Sequence, residues 1–132
     1  MKKLTSRDKA QFIAQLAVEK KGEDIVLMDM RNLSTMFDWF MLVSASSSRR
    51  VKAIAKAIEK GLGEQKCSPL HVEGTSNPYW VLLDYEDVVV HVFYKEIRDF
   101  YGLERLWSEA PREYFDNKCL EKTSRTKSLK PS

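Results

Sequence analysis

The chain has 132 residues, 43% hydrophobic and 31% charged, which suits one compact domain with its own core and is too short for two. That balance excludes a disordered chain and a collagen-like repeat, and no apolar run approaches the ~18 residues of a membrane-spanning helix. The net charge of +3 falls entirely in residues 116–132, because residues 1–115 carry 17 basic and 17 acidic side chains.

The body is nevertheless dipolar. Arg49 to Lys66 holds six basic and two acidic residues, whereas Glu73 to Asp99 holds six acidic and two basic ones. A general nucleic-acid binder shows a basic excess across its domain, so this pattern favours a basic partner for the acidic stretch. The opening MKKLTSRDKAQFIAQLAVEKK lacks the apolar centre and cleavage site of a secretory signal. Cys67 and Cys119 lie far apart with no CxxC spacing, as expected of reduced thiols in a cytoplasmic protein.

In chain order, Ser6 to Lys20 has helical periodicity through Phe12, Ile13, Leu16 and Ala17, with Ser6 as N-cap and Gly22 as left-handed terminator. Asp24 to Met30 and Trp39 to Ser44 read as strands, joined by a turn at Arg31 to Ser34. Val51, Ile54, Ala55, Ile58 and Leu62 then form one apolar helical stripe. Ser46, Ser47 and Ser48 offer caps for that helix, and Gly61 and Gly63 mark its end. Leu70 to Glu73 is a short strand, followed by turn residues Gly74 to Pro78.

Trp80 to Tyr85 and Val88 to Tyr94 are β-rich and separated by Glu86 and Asp87, the spacing of a two-residue hairpin. Lys95 to Gly102 resumes helical spacing, and Leu103, Leu106 and Trp107 make a short terminal turn. Beyond Pro111 the chain turns polar, and residues 116–132 read as a basic, disordered tail. The organisation is one α/β domain over residues 1–115, with helices packed on a mixed sheet.

The hairpin carries the most information. Pairing Tyr85 with Val88 sets Asp84 opposite Val89, Leu82 opposite His91 and Trp80 opposite Phe93. One face then holds Val81, Leu83, Tyr85, Val88, Val90, Val92 and Tyr94, a core side. The other holds Trp80, Leu82, Asp84, Val89, His91 and Phe93, aromatic but interrupted by a carboxylate and an imidazole. Such a mixture fits an interface core. The alternative is that a helix covers this face and that Asp84 and His91 hydrogen-bond each other. A one-residue slip would exchange the two faces.

Chemistry is harder to assemble. Ser44 to Arg50 could hold a phosphate before a helix, as in a nucleotidyltransferase. That enzyme also needs closely spaced carboxylates on a neighbouring strand to hold two metal ions. Asp84 and Asp87 flank a turn and do not project together from one strand face. His71 and His91 lack the further ordered ligands of a zinc site, and no GxSxG elbow accompanies any serine. The expectation is no catalytic residue, no metal and no cofactor. Lys122, Arg125, Lys127 and Lys130 in the tail could touch RNA phosphates.

Together DIVLMDMRNLSTMFDWFMLVSASSSRRVKAIAKAI, PLHVEG, WVLLDYEDVVVHVF and EIRDFYGLERLW resemble the ribosomal silencing factor, or Iojap-like, family over about residues 8 to 110. The resemblance implies a nucleotidyltransferase-like fold that has lost its catalytic carboxylates. It also implies a translational repressor that binds the large ribosomal subunit through ribosomal protein L-fourteen and blocks joining of the small subunit when nutrients are scarce. Trp80 matches the family tryptophan implicated in that contact, while Asp84, Asp87 and His91 fall on its D-x-x-D and VHV positions. Ala45 stands where the family commonly has glycine, and Tyr85-Glu86-Asp87 replaces its commoner turn. The expected partner surface is Trp80, Leu82, Asp84, Asp87, His91 and Phe93. Weak rRNA contacts from the tail and a homodimer of the free protein are further expectations, and the alternative is a metal-dependent nucleotidyltransferase-type enzyme.

Overall fold

The computed structural model describes residues 5–36, 38–76 and 79–115. In chain order these form α1 (Ser6–Glu19), β1 (Glu23–Asp29), β2 (Trp39–Ala45), α2 (Ser48–Glu64), β3 (His71–Glu73) and β4 (Trp80–Asp84). They continue with β5 (Val88–Tyr94), α3 (Lys95–Tyr101), α4 (Leu103–Leu106) and β6 (Arg112–Phe115). The strands build one six-stranded sheet in the order β3-β4-β5-β2-β1-β6. Only β2 and β5 run parallel; the other four neighbouring pairs are antiparallel. The domain is therefore α/β with a mixed sheet, and the expected tail at 116–132 lies outside the described residues.

Two apolar layers flank the sheet. On one side α1 and α2 place Ile13, Ala17, Ile54, Ile58 and Leu62 against Leu27, Met41, Val43, Leu83, Val90 and Val92. On the other, Val26, Met28, Phe40, Leu42, Val89 and Phe93 pack with Ala110, Ile97 and Trp107 from the α3–α4 region. Strand β2 is buried along its whole length because it contributes to both layers. That explains a run with little polar alternation: a strand covered on both faces has no wet side.

Helix starts follow the capping rules, with one displacement. Thr5, not Ser6, caps α1, its Oγ1 accepting from the Asp8 N–H at 3.0 Å. Ser47 caps α2 by accepting from the Arg50 N–H at 3.1 Å. The glycines act differently from expectation. Lys21 takes the left-handed backbone, at φ 67°, after α1. Gly22 is instead required by space, since a Cβ there would lie 2.8 Å from Val43 Cγ1. Gly61 and Gly63 sit inside α2 rather than ending it. A Cβ on Gly61 would come 2.6 Å from Leu16 Cδ1, so its absence lets α2 approach α1 closely.

Strand β6 was not apparent in the sequence. The segment after Pro111 reads as polar, yet Arg112 to Phe115 pairs antiparallel with Met28 to Ile25 of β1. An edge strand needs only one neighbour and one buried anchor, here Phe115. Arg7 fastens it further, donating to both carboxylate oxygens of Glu113 at 2.9 and 2.6 Å.

Candidate functional site

The β4–β5 register is the one the hairpin spacing predicts: Trp80 faces Phe93, Leu82 faces His91 and Asp84 faces Val89. The Tyr85 N–H donates to the Val88 carbonyl at 2.9 Å, which closes the two-residue turn. Glu86 adopts φ 78° in that turn, and Asp84 Oδ1 accepts from its N–H at 2.8 Å. The aspartate side chain thus supplies the turn chemistry that Asn-Gly would otherwise provide.

The aromatic face is covered over part of its extent. Ile97, Trp107 and Ala110 pack over the β5 half, where His91 is 5% exposed and Phe93 fully buried. On β4, Trp80 and Leu82 pack against the same layer but remain half-buried, as does Asp84, while Val81 and Leu83 are buried. The expected partner residues therefore differ in burial. Phe93 and His91 form the floor, and Trp80 and Leu82 form the surface above them.

Aromatic contacts bind floor to surface. The Trp80 and Phe93 ring centroids are 5.0 Å apart, and those of Trp80 and His91 are 5.9 Å apart. His91 stacks on Phe93 at 5.7 Å and meets the edge of Phe40 at 4.7 Å. The anticipated Asp84–His91 hydrogen bond is replaced by another: Trp80 Nε1–H donates to His91 Nδ1 at 3.1 Å. Burial lowers the His91 pKa from 6.5 to about 4, so the ring is neutral near neutral pH. Its buried Nε2 has no hydrogen-bond partner among the described residues.

The β3 edge adds residues that sequence reasoning missed. His71 pairs across from Asp84 and Glu73 from Leu82. Alternation places both beside Leu82 and Asp84, while Val72 packs into the helical layer. The His71 and Glu73 side chains pair at 2.7 Å. Glu73, Gly74, Trp80 and Leu82 line a shallow depression of about 240 Å³. Nearby, Leu70 and Tyr79 are 68% and 47% exposed. A three-residue strand carries too short a pattern to reveal this, although the polar-apolar-polar order of His71-Val72-Glu73 was the available signal.

Asp87 serves a different neighbourhood. Its carboxylate accepts from Lys9 Nζ at 2.8 Å, tying the hairpin turn to α1. Its carbonyl accepts from the Asp38 and Trp39 N–H groups at 2.9 and 3.0 Å. Asp84 and Asp87 consequently point to separate tasks, one within the turn and one across to α1. The serine run is likewise engaged: Ser44 Oγ accepts from buried Arg98, which also pairs with Glu104 and donates to the Asp24 carbonyl. Among the described residues, no group of three or more His, Cys, Asp or Glu side chains could hold a metal ion.

The arrangement is a half-buried indole and leucine on β4, backed by an aromatic floor and bordered by Glu73 and Asp84. Aromatic and aliphatic side chains with a polar rim are a composition also found in interface cores. Among the described residues, no helix is long and apolar enough to cross a membrane. The family described as "Ribosomal silencing factor during starvation" matches residues 3–132. The chain is 41% identical over 105 residues to a ribosomal silencing factor of Halalkalibacterium halodurans, covering 76% of this chain and 90% of that one. It is likewise 41% identical over 93 residues to one of Bacillus subtilis, covering 70% and 79%. A crystal structure of a Chromobacterium violaceum protein superposes with a TM-score of 0.77 at 31% identity, covering 80% of this chain and 88% of that one. The chain thus belongs to the ribosomal silencing factor family.

Proposed function

We propose that this protein is a cytoplasmic, non-enzymatic translational repressor that docks on the large ribosomal subunit through ribosomal protein L-fourteen and sterically blocks joining of the small subunit, chiefly under nutrient limitation. The observation that carries the reading is the Trp80–Leu82 surface, half-buried on β4 while His91 and Phe93 on β5 are buried beneath Ile97, Trp107 and Ala110. Within a family named for ribosome silencing, a half-buried aromatic patch backed by an aromatic floor suits a docking anchor. Asp84 and Glu73 border the patch and favour a basic partner. Asp87 holds the turn in place through Lys9, and His91 and Phe93 support Trp80 from beneath.

Occlusion needs a rigid body beside the joining face and no reaction. The separate engagement of Asp84 and Asp87 speaks against a two-metal nucleotidyltransferase site. The tail at 116–132 adds weak, nonspecific phosphate contacts to rRNA. In the free protein the same apolar patch supports weak self-association into a homodimer.

Co-sedimentation with isolated subunits tests the proposal. The protein should pellet with large subunits and not with small ones, and should lower light scattering when the two are mixed. Trp80→Ala should weaken large-subunit binding by about 2 kcal/mol, roughly thirtyfold, without loss of fold. Equal pelleting with small subunits, or metal-dependent turnover of labelled nucleotides, would overturn it.

A further inference from the structure

We infer that His91 is a positioning residue of the docking surface: its neutral imidazole accepts the Trp80 indole N–H at Nδ1 and fixes the plane in which that indole meets a partner. The inference rests on the reading of Trp80 as the docking anchor and gives that anchor a mechanism. A half-buried tryptophan side chain that was not held would have rotamer freedom, and ordering it on binding would cost affinity. Here stacking and hydrogen bonding limit that freedom before any partner arrives. Phe93 supports the indole by ring contact at 5.0 Å, which resists tilting but sets no direction within the ring plane. The Trp80 Nε1–His91 Nδ1 bond at 3.1 Å supplies the direction.

The imidazole is itself held. Phe40 meets it edge-on at 4.7 Å and Phe93 stacks along it at 5.7 Å, so it has little room to rotate. Accepting at Nδ1 places the proton of the neutral ring on Nε2. That Nε2 is buried and without a hydrogen-bond partner among the described residues. A buried polar atom left unsatisfied destabilises a fold, so its presence calls for a compensating role. The other tautomer would turn Nδ1–H against the indole N–H and lose the bond. Protonation would likewise lose the bond, and burial keeps the ring neutral.

Three variants of the full chain separate the possibilities: His91→Phe, which keeps a buried ring without the acceptor; His91→Asn, whose Oδ1 restores an acceptor near the Nδ1 position; and Trp80→Ala. Nitrogen-15 NMR of the free protein reads the bond directly, with the Trp80 indole signal assigned from Trp80→Ala. The expected wild-type result is an unprotonated Nδ1, a protonated Nε2 and a Trp80 indole proton protected from exchange. His91→Phe should lose that protection and bind large subunits about tenfold more weakly while staying folded, and His91→Asn should recover part of both. A protonated Nδ1, or indole exchange indifferent to His91→Phe, overturns the inference whatever binding shows. If the bond is present and Trp80→Ala loses binding but His91→Phe does not, positioning is refuted and the docking reading stands. If Trp80→Ala binds like wild type, the docking reading fails and the positioning role falls with it.

Discussion

Acidification should weaken the fold through His91 before most carboxylates respond. Packing among Phe40, Trp80 and Phe93 lowers its pKa from 6.5 to about 4. Unfolding releases the ring to water, where it takes a proton below about pH 6.5. Between pH 6.5 and 4 the unfolded chain therefore binds a proton that the folded one refuses, and stability falls as pH falls. The contribution is fully present above pH 6.5 and is lost by about pH 4. That gap of about 2.5 pH units, at about 1.36 kcal/mol each, corresponds to about 3 kcal/mol. A domain of this size has ~5–15 kcal/mol of total stability, so the loss is visible. Asp29 acts in a lower window. Its hydrogen bond to Arg31 holds its carboxyl below 3.8, so its contribution is lost only as pH falls beneath that value. Urea unfolding of the wild type and His91→Asn from pH 4 to 8 isolates the histidine, because other groups cancel in the difference. The wild type should lose about 3 kcal/mol more than the variant on going from pH 7 to pH 4. Parallel curves for the two proteins would refute the burial argument.

Further outcomes follow from packing. Val90→Asp places a carboxylate in the layer beneath α1 and α2 and should unfold the protein, a loss of several kcal/mol readable by circular dichroism. Leu82→Asp, on the half-open side of β4, should instead remain folded and lose large-subunit binding in the co-sedimentation assay. Gly63→Ala lies in α2 with nothing within 4 Å of the added Cβ, so it should stabilise by about 0.5–1 kcal/mol in urea titrations. Arg98→Met removes buried contacts to Asp24, Ser44 and Glu104, and should cost about 3 kcal/mol by thermal or urea unfolding.

Most of the sheet was legible because its strands carry signals on their own. The β-rich runs at Trp39, Trp80 and Val88 announce themselves by composition, and the two-residue spacing at Glu86-Asp87 fixes a register. Strand β6 was not legible, because Arg112-Glu113-Tyr114-Phe115 has one buried side chain and takes its order from β1 and Arg7. The glycine roles were misread for a related reason. Gly22 and Gly61 look like terminators in sequence, but they answer to Val43 and Leu16, residues distant in the chain. Local periodicity cannot report a tertiary close approach.

The site divided along the same line. Alternation separates the Trp80 face from the Val81 face, but says nothing about how far a later helix will reach across it. With Ile97, Trp107 and Ala110 packed on this face, β5 is buried on both sides and β4 only on one, although the two sequences look alike. The charge count misleads similarly. Of the acidic side chains from Glu73 to Asp99, Asp87 pairs with Lys9 and Asp84 spends one oxygen on the turn, while Glu86 and Glu96 are exposed away from the Trp80 depression. Glu73 is the carboxylate that shares the depression with Trp80 and Leu82, and it is itself paired with His71. The acidic excess is thus spread over the surface, and around Trp80 and Leu82 it forms only a thin border to an aromatic and aliphatic patch. Binding through such a patch draws its strength from apolar area and an ordered indole, and charge guides the approach.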